Sequence, residues 1–321
     1  MTPPTPVAFR IPMRTRFRGI TAREGVVFRG AAGWAEFSPF LDYGPAQAVP
    51  WLDAAREAAA QGFPPAVRAE IPVNVTIPAV DASHAAQLVA DSGGCTTAKV
   101  KVAEPGQDLD QETNRLAAVR EALGPAGKIR IDANGAWDVE TAVRHIAALD
   151  RAAGGLEYVE QPCATVADLA RVRRRVSVPI AADESIRHAR DPFEVARTQA
   201  ADIVVLKVQP LGGVRACLEL AEQIAMPVVV SSALETSIGL AAGVALAAAL
   251  PELPYACGLA TGHLLENDLT SAPLRPHGGA IAVRQITPEA ELLDAVQNSK
   301  TSARWRKRWE ATAVLARKEQ P

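Results

Sequence analysis

Three short apolar runs within residues 128–183 each deliver an acid at or near their end. KIRIDANGAW brings Asp132, GLEYVEQP brings Glu160 and PIAADES brings Asp183. A few apolar residues followed by a carboxylate, recurring about every 25 residues, is the pattern of parallel strands aiming side chains into one pocket. Carboxylates that converge without a counter-charge repel one another, so this set is expected to hold a hard divalent cation, Mg2+ or Mn2+ in its place. Lysines flank the block: Lys99 and Lys101 in TAKVKV before it, Lys207 in VVLK after it. One strand-end lysine alone is more often a surface group, and one acid alone is more often a helix cap. The ordered set is not explained by caps.

The chemistry that asks for this layout is removal of a proton alpha to a carboxylate. The product would be a dianionic enediolate, and a divalent cation on the substrate carboxylate stabilises that charge as it develops. The base must be a lysine that is neutral at working pH, and burial beside other cations is what lowers a lysine's pKa. Lys101 is the better base because it lies nearer the strand end. Lys99, one side-chain layer deeper, keeps a positive potential beside it for the substrate. Lys207, across the ring, is placed to act as acid, base or fixed cation on the other face. Arg130 shares the inward parity of Asp132, so it is expected to pair with the ligand carboxylates from below. Asn134 can hydrogen-bond substrate or a metal-bound water. Glu184 has the opposite parity to Asp183 and is expected to pair with Lys207 or to support the site from behind. Ser231, Ser232 and Glu235 follow the seventh strand, where hydroxyls and backbone N–H groups can receive a distal carboxylate. His188, His263 and His277 have no partners at metal spacing and read as structural or surface groups.

Positioning these residues takes a barrel. Apolar, β-prone runs recur near 73–77, 98–102, 129–131, 156–159, 179–182, 202–207, 227–232 and 255–259, with alanine- and leucine-rich helical segments between them. Strand, loop and helix repeated eight times predicts an α/β fold of the (β/α)8 TIM-barrel type. A doubly wound sheet would more often carry a glycine-rich loop after its first strand, and VNVTIPAVDAS supplies none. Ahead of the barrel, residues 7–40 read as an antiparallel meander and residues 46–61 as a helix closed by Gly62. The expected division is a small α+β capping domain over 1–66, the barrel over 67–265, and a C-terminal segment over 266–321 that returns toward the cap. Its basic tail, SARWRKRWEATAVLARKEQ, is expected to be a solvated helix or disordered.

The 321 residues are 48% hydrophobic and 22% charged, with a formal net charge of -2, which gives no reason to expect nucleic acid or an anionic membrane as partner. The longest apolar stretch, LAAGVALAAAL, suits a buried helix better than an integral membrane span. Pro3, Pro4 and Pro6 precede no apolar h-region, so a cytoplasmic protein is expected. Cys95, Cys163, Cys217 and Cys257 form no C-x-x-C pair and suit buried thiols in a reducing compartment. The expected partner is a small-molecule carboxylate substrate, and a monomer is favoured because no long exposed apolar element stands out.

The order K-x-K, D-A-N, E-Q-P, A-D-E-S, L-K resembles the enolase superfamily, and within it the muconate-lactonising-enzyme subgroup. The resemblance implies Asp132, Glu160 and Asp183 as Mg2+ ligands, Lys101 as the lysine that takes the alpha proton, and Lys207 as a cation that stabilises the enediolate. The strings TAKVKV, RIDANGAW, YVEQP, VVLKVQPLGG, VVVSSALETSIG and CGLATGHLLENDL are similar to an actinobacterial branch of dehydrating enzymes. That similarity implies dehydration of 2-succinyl-6-hydroxy-2,4-cyclohexadiene-1-carboxylate to 2-succinylbenzoate, a step toward menaquinone, with the same lysine returning its proton to the departing hydroxyl. N-acylamino acid racemase, dipeptide epimerase and cycloisomerase are the alternatives within the superfamily. Dipeptide epimerases usually carry a D-x-D pair after the eighth strand, where Leu259-Ala260-Thr261-Gly262 stands here. A barrel that binds a metabolite without catalysis is the alternative outside it, and would be expected to have lost an acid or a base. The cap is shorter than in many relatives, so its substrate-covering loops, near residues 15–25 and 37–43, are expected to be abbreviated. Arg18, Arg23 and Tyr43 are the expected substrate contacts there.

Overall fold

A computed structural model describes residues 6–17, 19–189 and 191–318. The chain begins with strands β1 (Val7–Phe17), β2 (Ile20–Arg29) and β3 (Trp34–Phe37), followed by helix α1 (Val49–Gln61). The three strands form an antiparallel sheet in sequence order.

Eight strands then alternate with helices: β4 (Glu70–Ile77), α2 (Ala82–Ala90), β5 (Thr97–Lys101), α3 (Leu109–Leu123), β6 (Lys128–Asp132), α4 (Val139–Ala153), β7 (Tyr158–Glu160), α5 (Val166–Arg173) and β8 (Ile180–Ala182). The short helices α6 (Glu184–Arg187) and α7 (Glu194–Arg197) precede β9 (Ile203–Leu206). After them come α8 (Val214–Ile224), β10 (Val228–Val230), α9 (Ser237–Ala249) and β11 (Cys257–Ala260). Each expected run is a strand. They pair in parallel in the order β10-β9-β8-β7-β6-β5-β4-β11. A parallel bridge between Ser231 and Gly258 joins the two ends and closes the ring. The switch from strand to helix is set locally by side-chain caps. Asp81 accepts from His84 N, Asp108 forms a capping box with Gln111, and Asp138, Thr165 and Thr236 cap the helices that follow them.

Two features depart from the sequence pattern. Strand β12 (Ala280–Ala282) adds antiparallel to the outer half of β4, and three residues are too few to show a period. After α10 (Ala290–Ala295), the basic tail is α11 (Ser299–Lys318), a helix packed against α1 and β1 in the cap. Of the two expected forms the tail takes the helix and not the disordered one, and that helix is docked on the cap instead of solvated. Trp305 and Trp309 lie four apart on one helical face. Trp305 is fully buried and donates to Glu24, and both rings meet Phe37 edge-on, at 6.0 and 5.5 Å. Arg304 and Arg308 also bond to the cap, to Glu24 and to the Phe40 and Tyr43 carbonyls, but arginines dominate the composition of the segment, which is why the tail reads as solvated.

Cap and barrel meet over α9, nearly all of which is buried, so it has no polar stripe and reads as one apolar run. Glu36 of β3 docks on the start of that helix. Its carboxylate accepts from Thr236 N at 3.1 Å, Thr236 Oγ1 at 2.6 Å, Gly239 N at 3.2 Å and Ser38 Oγ at 2.6 Å. Burial outweighs these bonds and lifts the group from 4.5 to about 7. A folded-state pKa above the unfolded one means the stabilising contribution is complete below pH 4.5 and is lost as pH rises through about 7. Glu36→Gln cannot ionise. Between pH 5 and 8 the unfolding free energy in urea should therefore fall more steeply for the wild type than for Glu36→Gln, and equal slopes would contradict this account.

Candidate active site

Strand register brings the chemistry to one level. Lys101 is paired with Asp132, and Asp132 with Glu160, across β5, β6 and β7. Asp183 follows β8 directly, and Lys207 follows β9 directly. All five groups, with Lys99, are buried at the mouth of the barrel, and Glu160 and Asp183 are wholly inaccessible.

Each acid faces a lysine. Lys101 Nζ lies 2.5 Å from Asp132 Oδ2 and donates to Asn134 Oδ1 at 2.7 Å. Lys99 Nζ spans both oxygens of Glu160, at 3.0 and 3.1 Å, and sits 3.3 Å from Asp132. Lys207 Nζ lies 2.5 Å from Asp183 Oδ2, whose other oxygen accepts from Arg187 Nε at 2.9 Å. Burial alone would raise Asp132, but Lys101 and Lys99 outweigh it and hold the carboxyl well below the usual range. Burial is likewise overcome at Asp183 by Arg187 and Lys207. Glu160 goes the other way: burial, then the charge of Asp132, lifts it to about 7. Burial lowers Lys207 despite the opposing pull of Asp183. For Lys99, Glu160 and Asp132 overcome the burial and raise it.

Among the described residues no three His, Cys, Asp or Glu side chains are gathered into a ready-made cage. The donor set nonetheless fits a hard divalent cation: three carboxylates on adjacent strands, all buried, with Glu160 feeling the charge of both Asp132 and Asp183. A cavity opens onto the same ring, lined by Phe17, Phe40, Lys99, Lys101, Asn134, Lys207, Ser231, Ser232, Leu234 and Thr261 among others. Its described lining carries three lysines and no carboxylate, which suits an anionic ligand.

Asn134 holds Lys101 and donates to Glu184, with a left-handed backbone at φ 47. Ser231 and Ser232 line the cavity, Ser232 with its hydroxyl against that of Thr261 at 2.7 Å. Glu235 is buried behind that turn and accepts from Ala233 N at 2.8 Å. Four expectations need correction. Arg130 shares the inward parity of Asp132, but its long side chain turns away from the ligand carboxylates. It pairs with Glu157 at 2.6 Å and donates to Asn74 and to the Ala256 carbonyl. Of the two roles expected for Glu184, the pairing with Lys207 is not made; it pairs with Arg187, one helical turn on, and accepts from Asn134, behind the site. Arg23 bonds to backbone carbonyls and to the Ser38 hydroxyl and stands behind Phe40, not in the cavity lining. Tyr43, also outside that lining, accepts from Arg187 Nη1 at 2.8 Å and lies 3.0 Å from His188 Nε2. Arg18 lies outside the described residues.

Sequence reasoning missed Arg187 and Gln161. Arg187 is bonded to Asp183, Glu184 and Tyr43, and its signal was its position four after an acid on a short helix. Gln161 accepts from the backbone N–H groups of Asp183 and Ser185, fixing the turn that presents Asp183. Its signal was its place in E-Q-P. Phe17 of the cap was missed too; its ring lies 5.4 Å from Lys101 Nζ.

A closed parallel barrel with acids on three successive strand ends, lysines on the flanking strands and a capping sheet defines an enzyme of the enolase type. Residues 81–288 match the enolase C-terminal domain-like family and residues 8–59 the enolase N-terminal domain-like family. Muconate cycloisomerase from Pseudomonas fluorescens shares the fold at a TM-score of 0.77, with 23% identity over 92% of this chain and 98% of its own. The L-Ala-D/L-Glu epimerase from Bacillus subtilis does so at 0.72, with 23% identity over 87% and 95%. The o-succinylbenzoate synthase of Thermobifida fusca is 62% identical over 97% of this chain and 95% of its own length. That of Mycobacterium tuberculosis is 54% identical over 92% and 89%. The chain belongs to the o-succinylbenzoate synthase family of the enolase superfamily.

Breaking a buried ion pair leaves an uncompensated charge and costs about 3–5 kcal/mol. Lys207 still faces Asp183 when Arg187 is removed, so Arg187→Met should fall at the low end, about 3 kcal/mol, in urea denaturation. A loss below ~1 kcal/mol would contradict the assigned pairing.

Proposed function

We propose that the cavity above the lysine–carboxylate ring is where 2-succinyl-6-hydroxy-2,4-cyclohexadiene-1-carboxylate loses water to give 2-succinylbenzoate. The protein is a lyase of menaquinone biosynthesis, as its relatives at 54% to 62% identity support. The observation that carries the reading is a cavity lined by three lysines and no described acid, with Lys101 on β5 and Lys207 after β9, four strands apart around the ring of eight. The substrate is a dicarboxylate, and such a cavity favours it over an amine.

Lys101 takes the proton on the carbon alpha to the ring carboxylate, and Asn134 orients its amine. The electrons move onto that carboxylate as an enediolate, which Lys207 faces as a cation. Lys101 then returns its proton to the departing hydroxyl, water leaves, and aromatisation drives the step. Asp132, Glu160 and Asp183 would hold Mg2+, or Mn2+ in its place, which when bound would supply electrostatic stabilisation for the charge developing on the carboxylate. Lys99 stays protonated against Glu160 and maintains the positive field. Ser231 and Ser232 meet the succinyl end of the substrate. Racemases and epimerases deliver protons from both faces, so for them Lys207 would have to move a proton too.

Among the described residues no helix is long and apolar enough to cross a membrane, and all four cysteines are free and buried. We place the reaction in the cytoplasm and read the enzyme as a monomer.

Lys101→Ala should lower the dehydration rate by roughly 10²–10⁴-fold or more, followed by absorbance of the aromatic product, in a variant that still unfolds cooperatively in urea, at a lower midpoint because Asp132 loses a buried partner. Chelation should abolish turnover in the wild type and Mg2+ restore it; full turnover in metal-free enzyme would sink the carboxylate assignment. N-succinyl amino acids and dipeptides incubated in D2O should show no alpha-proton exchange, and rapid exchange would favour a racemase.

A further inference from the structure

Arg23 belongs to the cap sheet, yet its side chain is only 2% exposed and reaches into the barrel. Its Nε donates to the Leu234 carbonyl at 3.0 Å, and Nη2 donates to the Ala233 carbonyl at 3.2 Å and to Ser38 Oγ at 3.1 Å. The guanidinium also lies 4.5 Å over the Phe40 ring. Ala233, Leu234 and Phe40 all line the cavity that holds Lys101 and Lys207. Leu234 has φ 65, a left-handed conformation that a branched side chain adopts only when its surroundings enforce it. Glu36 secures the far end of the same turn through Thr236 N and Oγ1. A strained turn on the cavity wall is thus gripped by two buried ionisable groups of the cap, Arg23 and Glu36.

We propose that Arg23 is a positioning residue for substrate recognition. It holds residues 231–236 in their strained form, so that Ser231, Ser232 and Leu234 present one fixed wall to the end of the substrate remote from Lys101. The inference rests on the reading of this cavity as the dehydration site. Arg23 touches no reacting group, so its loss weakens binding and leaves the proton transfer intact. A lysine lacks the planar fork that spans two carbonyls and a hydroxyl.

The test compares wild type, Arg23→Lys, Leu234→Gly and the double variant, with Arg23→Gln in place of Arg23→Lys if the latter fails to melt cooperatively. Arg23→Lys should raise KM for the cyclohexadiene about tenfold with kcat within about twofold, the mark of lost uniform binding. Glycine adopts positive φ without strain, so the same Arg23 change in the Leu234→Gly background should raise KM at least about threefold less. Hydrogen exchange of the unliganded proteins should show faster exchange across 231–236 in Arg23→Lys. Equal KM rises in both backgrounds, a fall in kcat at constant KM, or unaltered exchange across 231–236 would each overturn the inference. Absence of product from the wild type would instead be a failure of the dehydration reading. The exchange measurement, which needs no substrate, separates the two.

Discussion

The pairing of buried lysines with buried acids around the barrel mouth is the interaction on which the rest of the structure depends. An isolated charge in such a place costs several kcal/mol, and a partner at hydrogen-bond distance across a neighbouring strand offsets much of that. Lys101 against Asp132, Lys99 against Glu160 and Lys207 against Asp183 make the ring close to charge-balanced. That balance lets six ionisable side chains share a site that water hardly reaches. Strand register does the placing, because residues at equal height on β5, β6 and β7 must face the same pocket.

The lysines differ through their surroundings. Lys99 sits against both oxygens of Glu160 and is held protonated, which fits a residue that supplies field and no proton. Lys207 is depressed by burial while bonded to Asp183, and that acid is shared with Arg187. Arg187 in turn reaches Tyr43, so the cap touches the acid ring through one guanidinium. The cap covers the cavity with Phe17 and Phe40 and grips the wall at Leu234 through Arg23. Substrate enclosure and charge placement are therefore built from the same contacts.

Much of this was legible in the chain. The eight strands and the three acids follow from short apolar runs ending in carboxylates, and parity separates the inward from the outward side chains. Parity says nothing of where a long side chain ends. Arg130 has the right parity and still turns to Glu157, and Glu184 finds Arg187 one helical turn away. The clasp of Arg23 on Leu234 spans 211 residues of sequence, and no local pattern encodes such a pair. The terminal helix was misread for a related reason: two tryptophans on one face decide its packing, and the surrounding arginines mask them in any average.

The central claim is that Lys101 removes the ring proton in the step that commits the substrate to dehydration. The direct measurement is the rate of formation of 2-succinylbenzoate from the cyclohexadiene carrying deuterium at the carbon alpha to the ring carboxylate, against the protium form, at saturating Mg2+. The account predicts a slower reaction of the deuterated substrate in the wild type and negligible product of either isotope with Lys101→Ala. Equal wild-type rates for the two isotopes, with Lys101→Ala still turning over at a comparable rate, would contradict it.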